Sequence, residues 1–170
     1  MKRWIAIFSV LLLGGCAAYS GQGLKPGEDN LENVLRVMGP AAMRWQNPDG
    51  SAQLAYPRGP MGFHTFMVYL GPDGKLRRIE NVLEEKTFAR IQPGMTQKQV
   101  LRLLGPPFPG WTVYVKARDE LVWEWRYCSL WNEASRFDVL FDNSQARVRS
   151  TMSLSEAQIE HSRGKYWCSR

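Results

Sequence analysis

Val34-Leu35-Arg36-Val37-Met38-Gly39-Pro40 returns later in the chain as Val100-Leu101-Arg102-Leu103-Leu104-Gly105-Pro106, the same residue at five of seven positions. Upstream, Pro26-Gly27 answers Pro93-Gly94 once one residue is inserted in the first copy. Downstream, Phe66-Met67-Val68-Tyr69-Leu70 answers Phe137-Asp138-Val139-Leu140-Phe141. Three blocks in the same order are the mark of an internal repeat, so one architecture has to serve both copies.

Each copy opens on a helix. Thr96 with Gln99 three residues on forms a capping box, Val100, Leu103 and Leu104 share one face, and Gly105-Pro106 stops the turn. In the first copy Asp29 or Asn30 caps, Val34, Val37 and Met38 make the stripe, and Gly39-Pro40 ends it. The stripes are core residues. The period then falls to two. Leu121, Trp123, Trp125 and Tyr127 alternate with Val122, Glu124, Arg126 and Cys128; Phe137 to Phe141 follows, and Asp142-Asn143-Ser144 turns into Arg147 to Met152. The first copy repeats this over Ala52 to Tyr56, His64 to Leu70, the turn Gly71-Pro72-Asp73-Gly74, and Lys75 to Val82. Leu83 to Ile91 reads as a further short helix, with Ser155 to Ser162 its counterpart. The pattern predicts an α+β protein of two tandem units, each of short helices on a three-stranded antiparallel sheet. The units span 30–82 and 83–152, with a C-terminal helix and tail over 153–170.

The N-terminus carries a different message. Lys2 and Arg3 precede the apolar Trp4 to Leu13 and the small Gly14-Gly15, the anatomy of a secretory signal too short to span a bilayer as a helix. The ending Leu13-Gly14-Gly15-Cys16 resembles the lipobox at which bacteria acylate a cysteine and cleave before it. The expectation is a signal peptide over 1–15, an acylated Cys16, and a tether over 16–29 rich in Ser20, Gly21, Gly23, Pro26 and Gly27. Ala17, where lipoproteins kept at the inner membrane commonly carry Asp, favours the outer membrane, facing the periplasm.

Without Lys2 and Arg3 the balance of 22 basic and 16 acidic residues falls from +6 to +4. That excess is spread along the chain, so nucleic acid is not expected as a partner. Two cysteines remain after Cys16. Cys128 and Cys168 in an oxidising compartment are expected to pair, a constraint of roughly 4 kcal/mol in the chain-entropy model.

Ile91-Gln92-Pro93-Gly94-Met95-Thr96-Gln97-Lys98-Gln99-Val100, followed by Leu104-Gly105-Pro106-Pro107 and Phe137-Asp138-Val139-Leu140-Phe141-Asp142, resembles the SmpA/OmlA domain of the BamE family. That resemblance covers about Leu83 to Met152. It implies a small outer-membrane lipoprotein that supports the machine inserting β-barrel proteins, and so a protein partner such as the barrel-assembly complex. The family carries one such unit. Two in tandem resemble instead the architecture of the secreted β-lactamase-inhibitor proteins, and the first copy has Gly27-Glu28-Asp29 in place of the Gly-Met-Thr box.

No hydrolase elbow, zinc-binding His-Glu-x-x-His, phosphate loop or Cys-x-x-Cys pair is present, and His64 and His161 have no acidic neighbour at ligand spacing. Catalysis, a metal and a cofactor are therefore not expected. Glu84, Glu85, Asp119 and Glu120 read as solvated residues of helix starts and turns. The aromatic and arginine content near the second sheet suggests a protein-binding surface: Trp111, Tyr114, Arg118, Arg126 and Trp131 are its candidates, whereas Trp123 and Trp125 read as core. An accessory role in envelope assembly is the first reading. An inhibitor-like or protective binder of a periplasmic enzyme, or a pocket for a lipid or small ligand, are the alternatives.

Overall fold

In the computed structural model, which describes residues 20–59, 61–161 and 166–168, the first unit comprises helix α1 (Leu31–Met38) and strands β1 (Met43–Gln46), β2 (Ala52–Pro57), β3 (Thr65–Leu70) and β4 (Leu76–Asn81). A short helix α2 (Glu85–Phe88) leads to the second unit: α3 (Gln97–Leu104), β5 (Val113–Val115), β6 (Glu120–Cys128), β7 (Ala134–Asp142) and β8 (Arg147–Ser155), followed by α4 (Glu156–Ile159). The signal segment 1–15 and Cys16 lie outside the described residues, as do 17–19.

Both long helices are held by the chemistry anticipated from their sequences. Asn30 caps α1 and Thr96 caps α3, each in a reciprocal box with the residue three positions on, Asn33 and Gln99. Gly39 and Gly105 follow the last turns with φ of 78° and 74°, a left-handed region where a Cβ is strained, and their N–H groups donate back to Leu35 and Leu101. α1 buries Val34 and Met38 against Leu54, Tyr56, Val68, Leu70 and Leu76. α3 buries Val100 and Leu104 against Trp125, Phe137, Val139, Phe141 and Val148. At about 1.5–3 kcal/mol for each large side chain fully removed from water, these two apolar layers dominate the stability of their units.

Each sheet is an antiparallel meander of four strands, not the expected three, in the orders β1-β2-β3-β4 and β5-β6-β7-β8. The additional strands β1 and β5 lie at the edges and have only 4 and 3 residues, too few for an alternating pattern to stand out from a loop. The repeat extends to details that no residue pattern displays. A register shift falls between Tyr69 and Leu70 in one sheet and between Leu140 and Phe141 in the other. The chain entering each helix bonds the last strand of its own sheet: Gly27 N–H to Leu76 O (2.8 Å), Leu76 N–H to Asp29 O (2.7 Å), Gly94 N–H to Val148 O (2.8 Å), Val148 N–H to Met95 O (2.8 Å).

Those bonds also shorten the expected tether. Leu24 packs on the first core, Gly21 is buried so closely that a Cβ would collide with Ile79 and Met38, and Lys25 N–H donates to the Asp29 carboxylate at 2.6 Å. The Gly and Pro residues read as flexible instead make turns that lay this segment on the sheet.

β2 is buried at every position from Ala52 to Tyr56, because the two faces of the first sheet are covered by different helices. α1 covers one. On the other, Gln53, Ala55, Met67 and Val82 are buried, and α3 of the second unit with its Gly105 stop meets Gln53 and Ala55. The Gln53 amide donates to Arg102 O and the Arg102 guanidinium to Asn47 Oδ1, with that guanidinium 5.9 Å from the centre of the Trp45 ring. A Cβ on Gly105 would stand 2.9 Å from Thr65 Cγ2 and 3.3 Å from Ala55 Cβ. Glycine at this position thus ends a helix and admits a neighbouring sheet.

Candidate functional site

The outer face of the second sheet is ionic where that of the first is apolar. β6 and β7 pair Glu124 with Asp138 and Arg126 with Arg136. Arg126 grips Glu156 of α4 through Nε and Nη2, each at 2.7 Å, and Arg136 bridges Glu156 (3.3 Å) and Glu124 (3.1 Å). Burial works against the charge of Glu156, but the guanidiniums of Arg126 and Arg136 outweigh it and hold the carboxyl below its ordinary range. Asp138 has no such partner. Burial, and then the adjacent Glu124 carboxyl, push it up to about 7, and burial likewise raises Glu124. Two carboxyls facing each other away from water share a proton more readily than they both ionise. Further along, Glu120 is only 4% exposed and pairs with Arg118 (3.0 Å) and Arg149 (3.4 Å). Its expected place among solvated turn residues is corrected: it opens β6 with its side chain turned onto the sheet.

The five candidate binding residues do not form one surface. Tyr114 is half exposed and donates to Asp119 at 2.8 Å, beside the exposed Arg118, at the start of β6. Midway, Trp111 is half-buried, edge-on to Phe108 (4.6 Å between ring centres) with the Arg136 guanidinium 4.1 Å over its face. Arg126 is committed to Glu156, to Met61 O (3.1 Å) and to the Phe63 ring (4.2 Å). Trp131 lies beyond the far end of β6, roughly 23 Å from the first group at about 3.3 Å per strand residue.

At that far end the hairpin between β6 and β7 exposes Leu130 at 85% and Trp131 at 80%. Ser129 N–H donates to Glu133 O and Asn132 N–H to Ser129 O, closing the turn. The C-terminal segment runs antiparallel beside it. Ala134 N–H donates to Tyr166 O, Cys168 N–H to Asn132 O, and Cys128 and Cys168 are joined by a disulfide, their Cα atoms 5.9 Å apart. Tyr166 and Trp167, 39% and 60% exposed, add to the apolar rim. Leu130 N–H donates to Glu85 Oε1 at 3.0 Å, tying the tip to α2. Trp131 was legible as a loop aromatic; Leu130 beside it and the distant Trp167 carried no signal until the tail was placed.

A cavity of about 330 Å³ opens between the units, lined by Pro57, Gly59, Gly62, His64, Thr65, Leu83, Pro106, Pro107, Phe108, Pro109, Trp125 and Arg126. Trp125 is core, 2% exposed, as anticipated, yet its buried Nε1–H has no hydrogen-bond partner among the described residues. Among the described residues no cluster suited to a metal ion is found, and no helix is long and apolar enough to cross a membrane.

The fold of the second unit, a capped helix on an antiparallel meander with a Gly-Pro stop, can be set against known proteins. Residues 80–150 match the family model of the outer membrane protein assembly factor BamE domain. The match runs from the end of β4 through α3 to β8, so the BamE-like part is the second unit and the first lies outside it. No curated protein and no solved structure matches the chain.

Proposed function

We propose that this chain is a non-catalytic lipoprotein, anchored through acylated Cys16 to the outer membrane and facing the periplasm, that acts by protein contacts in the assembly of outer-membrane β-barrel proteins. The BamE-domain match over residues 80–150 carries the reading. The lipobox-like Leu13 to Cys16 supports the anchor. Several acyl chains on one cysteine, each buried methylene contributing about 0.8 kcal/mol, hold a protein on a membrane practically permanently.

The contact surface in this reading is the hairpin tip. Leu130 and Trp131 stand exposed on a turn fixed by a disulfide and by Glu85, and rigid exposed aromatics are what interface anchors are made of. Tyr114 and Arg118, at the other end of β6, form a separate polar contact point.

Mild crosslinking in intact cells, detergent extraction, affinity capture and mass spectrometry test the proposal. Barrel-assembly subunits are expected, lost in Cys16→Ala and reduced at least tenfold in Trp131→Ala. Recovery of a single soluble periplasmic enzyme, or of no partner, overturns it.

A further inference from the structure

Both sheets end on an edge strand, and the repeat lets the two edges be compared residue by residue. Tyr69 pairs with Arg78 and Leu140 with Ser150 beside the matching register shifts, so Arg78 and Glu80 of β4 stand where Ser150 and Met152 stand in β8. In β4 these two form an ion pair at 3.6 Å, next to Arg77. Charge on an exposed edge is a common guard against pairing with another chain. β8 lacks it: Ser150-Thr151-Met152-Ser153-Leu154-Ser155 holds neither a charge nor a proline.

That stretch is also uncovered. The segment entering α3 bonds Val148 and bridges Thr96 to Arg147, and it goes no further along β8. Among the described residues, no backbone hydrogen bond reaches the outer edge from Ser150 to Leu154. Arg149 to Ser153 are exposed in succession, on both faces of the sheet, with Met152 at 41%. Every second residue of such an edge presents an N–H and a C=O to whatever lies beside it. The opposite edges, β1 and β5, are too short at 4 and 3 residues to template a partner in this way.

We propose that the open edge of β8 pairs with β8 of a second copy of this chain, antiparallel about a two-fold axis at Met152, fusing two four-stranded sheets into one. Charge selects that partner and its direction. Arg147 opens β8 and Glu160 closes α4 just beyond it, both exposed and without an ion pair among the described residues. Antiparallel pairing brings the basic start of one strand to the acidic end of the other, whereas parallel pairing sets Arg147 against Arg147. Centred on Met152, it places Ser150 opposite Leu154, Thr151 opposite Ser153 and Arg149 opposite Ser155, so like charges never meet. An interface that uses one patch twice closes at two copies. The proposal goes beyond barrel assembly and does not depend on it.

Single cysteines in the full chain read the register. Met152→Cys sets two thiols opposite one another with their Cα atoms about 5 Å apart, within disulfide reach. Mild oxidation of intact cells should then give a dimer on a non-reducing gel. The two thiols of Ser150→Cys lie four residues apart across the pair, roughly 13 Å at 3.3 Å per residue. That variant alone should give at least tenfold less dimer, and mixing it with Leu154→Cys should restore the yield. Met152→Lys, which puts two ammonium groups on the axis, should weaken association of the purified chain at least tenfold in analytical ultracentrifugation while its melting transition is retained. No dimer from Met152→Cys, an equal yield from Ser150→Cys alone, or crosslinks to another protein in place of a second copy would each overturn the pairing. None of these outcomes bears on recovery of barrel-assembly subunits, so the two readings fail separately.

Discussion

The two units of this molecule have the same helix caps, the same Gly-Pro stops and the same register shift, yet opposite outer faces. In the first, Gln53, Ala55, Met67 and Val82 are buried, with Gln53 and Ala55 against α3 and Gly105 of its neighbour. In the second, the corresponding face holds Glu124, Arg126, Arg136 and Asp138, with Glu156 of α4 laid across them. The inner faces, which decide whether a unit folds at all, are alike. The outer faces differ, and one is an internal contact where the other carries ion pairs.

Core truncation at equivalent positions gives the largest test of that comparison. Leu70 and Phe141 flank the matching register shifts, both buried. Phe141→Ala should cost about 3–5 kcal/mol and Leu70→Ala about 2–5. Since α3 packs on both sheets, urea transitions followed by tryptophan fluorescence and by far-ultraviolet circular dichroism should coincide in either variant. Transitions that separate would show that the units unfold independently.

The ionic face makes the next prediction. Asp138, with an ordinary value of 3.8 and a folded value of about 7, binds a proton in the folded state that it has released in the unfolded state. Its contribution is therefore present below pH 4 and lost as pH rises through 7. Asp138→Asn, an uncharged amide that can still donate to Glu124, should flatten the stability profile between pH 4 and 7. A variant whose slope matches the parent would show that the pair does not share a proton.

The smallest effect probes what the units have in common. Asn30→Ala and Thr96→Ala remove equivalent caps and should each cost about 1 kcal/mol, within the 0.5–2 seen for such changes, measured as shifts in the urea midpoint. Unequal losses would mean that the boxes do different work in the two units.

The helices and the longer strands were legible because Thr96 with Gln99, the paired Gly-Pro stops and the alternation of Leu121 to Tyr127 are local signals. β1 and β5 were not, since a three- or four-residue edge strand is defined by what pairs with it. The candidate surface fared differently. Trp131 could be placed on a loop from its neighbours, but the carboxylate partner of Arg126, Glu156, lies thirty residues on and carries no local signal. Glu120 looked solvated because alternation gives a residue's side of the sheet and not what covers it. The cavity beside Trp125 arises from the meeting of two units, which no pattern within either one encodes.

The ionic face also bears on growth by addition of repeats. A unit stacked on the second sheet as the second is stacked on the first would have to displace Glu156 from Arg126 and Arg136, and a guanidinium left buried without its carboxylate costs several kcal/mol. Repeat arrays need a terminal plate with a polar outer surface to stay soluble. The ionic face built around Arg136, with Glu156 laid over it, has that character.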